Sequence, residues 1–208
     1  MEALLELYRE PYDPRRPIVC MDEMSKQLIA ETRSALPLQE GQPARFDYEY
    51  ERRGVCQLFM FLEPLRGWRT VFVRQRRTMI DWAWCIRTLL DSYYPEVACV
   101  RLVLDNLNTH TGASLYQAFE PAEALRLLKR LAFHYTPKHG SWLNMAEIEL
   151  SVLTKQCLDR RLDEQHLVSA EVSAWETQRN DKEAKVQWRF TVSDARVKLK
   201  KIYPSNKN

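Results

Sequence analysis

VACVRLVLDNLNTHT, residues 97–111, is the stretch on which the fold turns. Its first eight residues form an almost continuous apolar run of strand length, interrupted only by Arg101. A strand with apolar residues at consecutive positions is covered on both faces, whereas a strand with one wet face alternates. The run stops at Asp105, and in open α/β sheets ligands collect beyond the carboxyl ends of the strands. A carboxylate therefore stands where a site would form.

Working outward, PIVCM at 17–21 is a second apolar strand, with Asp22 where that strand ends. VCQLFMFL at 55–62 and WRTVFV at 68–73 flank a turn at Pro64–Gly67 and read as a hairpin. Helical spacing is expected over 78–92, and Pro121 suits the first turn of a helix reaching about Arg130. LAFHY at 131–135 is a short strand stopped by Pro137, and further helices are expected near 142–157, 163–182 and 193–201. Residues 2–10 are helical until Pro11, Pro14 and Pro17 intervene. Hairpins first, then strand and helix in alternation, make a mixed α/β domain. The expected division is an N-terminal helix and linker at 1–16, a catalytic domain at 17–182 and a basic extension at 183–208.

A chain of 208 residues, 45% of them hydrophobic, can fill one core. No stretch approaches the roughly 20 apolar residues of a membrane span, and MEALLELYREPYDP lacks the basic start of a signal peptide, so a cytoplasmic protein is expected. The five cysteines (Cys20, Cys56, Cys85, Cys99, Cys157) are scattered without a CxxC pair and read as small core residues. His134 and His139 have no cysteine or third histidine nearby and read as structural rather than zinc-binding. The net charge of +3 permits a nucleic-acid partner without demanding one. Its distribution says more: Arg45, Arg52, Arg53, Arg66, Arg69, Arg74, Arg76 and Arg77 crowd one region, and Lys198, Lys200 and Lys201 mark the C-terminal end.

Two aspartates on neighbouring strands repel unless a cation lies between them. Carboxylates without a soft ligand suit Mg²⁺ or Mn²⁺ better than zinc, and two such ions support phosphodiester cleavage. Alone, either aspartate could merely cap a turn. The segment SWLNMAEIELS at 141–151 offers a third acid. At about 100° per residue, Leu143, Ala146, Leu150, Leu153 and Cys157 form an apolar stripe, and Asn144, Glu147, Ser151 and Thr154 a polar stripe beside it. Glu149 lies about 200° from Glu147, between Met145 and Val152, so the geometry leans towards Glu147.

The strings DEMS at 22–25, LVLDNLNTHT at 102–111 and HYTPKHGSWLNMAEIELSVL at 134–153 resemble the DDE transposases of bacterial insertion sequences in the mariner superfamily. The resemblance spans nearly the whole chain. It implies an RNase H-like fold, a five-stranded mixed sheet flanked by helices, with Asp22 on the first strand, Asp105 after the fourth and Glu147 on a following helix. It further implies Mg²⁺- or Mn²⁺-dependent cleavage at transposon ends, with two ions, and transfer of the freed 3′-hydroxyl into target DNA. Asn106, beside the second acid, and Asn144, on the polar stripe, are expected in supporting roles. The interval from Asp105 to Glu147 is longer than the family's familiar spacing, which implies a longer loop around Gly112 to Pro121 and leaves Glu149 open as the third acid.

Double-stranded DNA is the implied partner, bound by a homodimer close to the bacterial nucleoid. Arg69, Arg74, Arg76 and Arg77, with Lys138 and His139 of the loop before the last acid, are expected phosphate contacts, although arginines on a sheet edge are equally ordinary solvated residues. Trp142 is open to two roles, packing in the core or stacking on a base. The family carries an upstream helix-turn-helix, and this chain starts almost at the catalytic domain, which leaves three explanations open: a separately encoded recognition region, a truncated copy, or an excised domain. Two other readings stand beside the transposase: a catalytically silent remnant that binds DNA through the same fold, and another RNase H-like nuclease.

Overall fold

The computed structural model describes residues 1–33, 41 and 48–202. Five strands form one sheet in the order β3-β2-β1-β4-β5. They are β1 (Ile18–Glu31), β2 (Tyr50–Glu63), β3 (Trp68–Arg74), β4 (Val100–Leu104) and β5 (Leu131–Tyr135). The first three form an antiparallel meander, and β4 and β5 run parallel to β1. The apolar stretch before Asp105 supplies β4, buried at all five positions.

Around the sheet lie α1 (Glu2–Leu7), α2 (Met79–Thr88), α3 (Gly112–Ala118), α4 (Pro121–Leu128), α5 (Met145–Leu153), α6 (Gln165–Asp181) and α7 (Val192–Lys198). Strand periodicity divides the core between the two faces of the sheet. Cys20, Leu58, Met60 and Val103 face α1, α5, α6 and α7, where Leu5, Leu150, Val172 and Ala195 fill the layer. Their neighbours Val19, Met21, Phe59, Leu102 and Leu104 face α2, α3 and α4, meeting Trp82, Leu115 and Leu127. Four cysteines are buried within these layers and Cys99 is partly so, all as free thiols. Among the described residues no helix is long and apolar enough to cross a membrane.

Two expectations are corrected. The first strand does not end at Asp22: the parallel ladder with β4 stops at Cys20, while the antiparallel ladder with β2 continues to Glu31. Asp22 therefore lies inside a strand, at the point where one neighbour falls away. The longer loop expected around Gly112 to Pro121 contains α3, held by the fully buried Leu115 and by the Ser114 hydroxyl, which donates to the Thr109 carbonyl at 2.7 Å. Gly112 packs against α4: a Cβ there would meet Leu128 Cδ1 at 3.0 Å. Short and without a marked polar face, α3 left no clear helical period in the sequence.

The edge of β3 is closed by side chains of α6. Asn180 accepts from the Arg69 N–H at 2.9 Å and donates to its carbonyl at 2.8 Å, and Glu176 accepts from the Val71 N–H at 2.8 Å. These bonds occupy backbone groups that would otherwise offer a template for another strand.

Candidate active site

Asp22 shares its parity on β1 with Cys20 and Met24, so its side chain leaves the sheet on the α5 side. The Glu23 N–H donates to Asp22 Oδ1 at 2.8 Å. Burial, and then the negative charges of Glu147 and Asp105, raise the Asp22 carboxyl from 3.8 to about 6, against the lowering effect of that hydrogen bond and of His110. Asp105 follows the last residue of β4, and Glu147 occupies the first turn of α5. Three elements distant in sequence thus bring the three acids within electrostatic reach of one another.

Oxygen is the only donor type in this set, and mutual repulsion raises the proton affinity of Asp22, which a hard divalent cation would relieve. Among the described residues no three His, Cys, Asp or Glu side chains are already gathered as a ligand set for one ion. Asp105 is instead turned onto His110, its Oδ1 hydrogen-bonded to the ring Nδ1. The donor chemistry of these carboxylates suits Mg²⁺ or Mn²⁺.

Asn144 ties the first acid to the third. Its side-chain oxygen caps α5 by accepting from the Ala146 N–H at 3.1 Å, and its amide donates to the Met21 carbonyl at 2.8 Å. That carbonyl immediately precedes Asp22. The sequence placed Asn144 on a polar stripe, whereas it is buried, its polarity consumed by these two bonds.

Glu149 has a separate task. It is 1% exposed, and its carboxylate meets Arg69 Nε at 3.1 Å and Arg179 Nη2 at 2.9 Å. This corrects the expectation that Arg69 contacts DNA. Arg69 is wholly buried, and its guanidinium also donates to the carbonyls of Gly67 and Ala184, so it reaches no phosphate. Counting arginines in a run could not separate this one from its exposed neighbours. With Glu149 committed to a buried ion cluster, Glu147 is the helical acid left facing Asp22.

Sequence reasoning passed over Glu23 and His110. Facing the opposite side of the sheet from Asp22, Glu23 has one oxygen 3.5 Å from His110 Nε2 and the other 3.4 Å from Arg77 Nη1. His110 is fully buried. Burial opposes its charge, but hydrogen bonds and charge from Asp105 and Glu23 outweigh that and lift the imidazole from 6.5 to about 9. The available signal was a histidine five residues after Asp105 in an otherwise small, polar loop.

A groove of about 690 Å³ opens beside Asp105, lined by Asn106, Pro137, Lys138, His139 and Ser141 among others. The turn beneath it is tight: His139 has φ 63°, and a Cβ on Gly140 would meet Pro137 Cγ at 2.6 Å. Trp142 is 41% exposed and stacks on Trp188, ring centroids 6.1 Å apart, with Phe190 edge-on at 5.6 Å. Asn106, Lys138 and His139 are exposed, as are Arg76 and Arg77 beyond β3. Arg74 is half-buried, its guanidinium 5.9 Å from the Phe72 ring centroid. Arg45 lies outside the described residues.

The chain thus joins a five-stranded mixed sheet with helices on both faces to carboxylates on its first strand, after its fourth and on a following helix. Residues 17–168 match the model of the DDE superfamily endonucleases, and the chain belongs to that family. The chain is similar to the Mos1 mariner paired end complex with Mn (19% identity, TM-score 0.61), the Mos1 strand transfer complex (16%, 0.60) and the catalytic domain of Mos1 mariner transposase (13%, 0.54), each match covering 88% of this chain. It spans about half (54%) of the chains in the first two complexes and 87% of the isolated catalytic domain. At these identities the likeness is one of fold. No curated protein matches the chain in sequence.

Proposed function

We propose that this chain is the catalytic part of an insertion-sequence transposase, cutting DNA at transposon ends and joining the freed 3′-hydroxyl to target DNA. The observation that carries the reading is the grouping of Asp22, Asp105 and Glu147, with the proton affinity of Asp22 raised by burial and then by the charges of the other two. Asp22, Asp105 and Glu147 would hold two divalent ions, which supply activation of a water or 3′-hydroxyl and stabilisation of the leaving oxygen. Asn144 fixes the spacing between the Asp22 strand and the Glu147 helix. Asn106, exposed beside Asp105, would support the same carboxylate's surroundings.

Double-stranded DNA enters this reading through the exposed cations. Lys138 and His139 line the groove beside Asp105, and Arg76 and Arg77 extend the basic surface beyond β3, with Arg74 at its margin. Such contacts neutralise phosphates without reading bases. Trp142 keeps an exposed surface on which a base could stack. The catalytic unit is residues 17–182, with 183–208 as a basic extension. A homodimer working on chromosomal DNA in the bacterial cytoplasm, with recognition of the ends assigned to a helix-turn-helix region, completes the proposal.

Nicking of DNA carrying the element's ends, in Mg²⁺ or Mn²⁺, is the test. Asp22→Asn, Asp105→Asn and Glu147→Gln are each expected to abolish nicking and strand transfer while the far-ultraviolet circular dichroism stays native. Full activity in any one of them removes that residue from the site.

A further inference from the structure

We infer that His110 and Glu23 are positioning residues for Asp105: His110 donates Nδ1–H to Oδ1 of the Asp105 carboxylate and leaves Oδ2 to a metal, while the Glu23 carboxylate, 3.5 Å from Nε2, orients the ring. The inference rests on the metal-binding reading of Asp105 given above. An ionised carboxylate only accepts hydrogen bonds, so the ring nitrogen facing it must carry the proton.

The surroundings of His110 hold it in this role from every side. Its N–H donates to the Leu107 carbonyl at 2.9 Å, closing the loop back towards Asp105. Its carbonyl accepts from the Tyr135 hydroxyl at 3.0 Å, which anchors the loop to the end of β5. The ring lies 5.9 Å, centroid to centroid, from the indole of Trp82, which is fully buried. The ring is therefore enclosed, with no exposed surface. Parity places Glu23 on the opposite face of the sheet from Asp22, so the support for Asp105 comes from the α2 side and its metal-facing side is left towards α5. Nε2 makes no hydrogen bond within the ordinary distance; Glu23, at 3.5 Å, is the group within reach to orient it. Outer-shell partners of this kind orient a ligand and raise its basicity, and their loss costs about 10–100-fold in metal affinity.

Two substitutions separate positioning from bulk packing. The side-chain nitrogen of Asn lies where Nδ1 does, and that of Gln lies near Nε2. In His110→Asn the donor to Asp105 is kept, and the Mn²⁺ affinity, measured by calorimetry or electron paramagnetic resonance, is expected within about threefold of wild type. In His110→Gln that donor is lost, and the affinity is expected to fall about 10–100-fold. Equal affinity in both variants and wild type would overturn the inference while leaving the metal site standing. A wild-type protein that binds no Mn²⁺ would instead overturn the metal reading and this inference with it. Nitrogen-15 NMR of the metal-free wild type gives an answer independent of either variant's folding: a protonated Nδ1 whose signal moves in Asp105→Asn is expected, and an unprotonated Nδ1 would refute the hydrogen bond. Glu23→Gln, on the strand itself, is expected to weaken Mn²⁺ binding by a smaller factor, and no change there would remove Glu23 from the assignment.

Discussion

At the residue scale, Asp22 feels the strain of the site most directly. Its carboxyl is raised to about 6 by burial and by the charges of Glu147 and Asp105. An acid raised above its unfolded value takes up protons on folding, so its contribution to stability falls as pH rises from about 4 through 6 and stays unfavourable above that. A divalent cation reverses the penalty only where the carboxylate is ionised. The rise in melting temperature on adding Mg²⁺ is therefore expected to be larger near pH 8 than near pH 5, and Asp22→Asn is expected to lose most of that difference. Thermal denaturation at the two pH values checks this; an equal Mg²⁺ effect at both would detach Asp22 from the ion.

Individual residues also mark where sequence reading reached its limit. Asp105 was found because an apolar strand stops on it, and the run from Val100 to Leu104 is a signal that burial on both faces produces. Glu147 and Glu149 could not be separated by period alone, because both lie beside apolar neighbours. Burial of Glu149 against Arg69 and Arg179, brought in from β3 and α6, sets the two apart, and such a long-range pair leaves no local trace. The same contact explains why Arg69, one arginine in a basic run, was misread as a surface residue.

At the scale of elements, the junction of β1 and α5 governs the geometry. Asn144→Ala removes the cap of α5, worth about 1 kcal/mol, and leaves the buried Met21 carbonyl without its donor, a further penalty of about 1–3 kcal/mol. Asn144→Ser keeps a capping hydroxyl but is too short to reach Met21, so a smaller loss of stability is expected. Mn²⁺ affinity should fall in both, since both release the tie between the strand of Asp22 and the helix of Glu147. Native affinity in Asn144→Ser would show that the cap alone matters. Glu149→Gln belongs to the same scale: one charge is removed from a buried ion cluster, and urea denaturation is expected to report a loss on the order of 3–5 kcal/mol. A surface-like change below about 0.5 kcal/mol would contradict the buried cluster.

Element boundaries in the sequence were clear wherever burial imposed a period. β5 runs from Leu131 to Tyr135, as its apolar run indicated, and Pro121 opens α4. β1 extends well past its apolar start, since its second half pairs only with β2 and carries polar residues such as Ser25 and Gln27. α3 stayed hidden because its seven residues bury only Ser114 and Leu115.

Across the whole molecule, the flanks brace the loop that precedes Glu147. Tyr8 of the N-terminal segment donates to the Leu143 carbonyl at 2.8 Å and packs on Trp188, which in turn stacks on Trp142. Arg196 of α7 pairs with Glu2 of α1 at 2.7 Å, joining the two ends of the chain. The stretch preceding Glu147 is thus held between α1 and the C-terminal segment, which no local motif announced. The overall sheet was readable because each of its central strands contains an apolar run, while this bracing arises from aromatic contacts between residues more than forty positions apart.

Titration of Mn²⁺ into the folded protein by isothermal calorimetry, wild type beside Glu147→Gln and Glu149→Gln, tests the shared metal site most directly. Binding in wild type, near-complete loss in Glu147→Gln and retention in folded Glu149→Gln is the predicted pattern. Undiminished binding in Glu147→Gln, or its loss in a natively folded Glu149→Gln alone, would contradict the assignment of Asp22, Asp105 and Glu147 as one site.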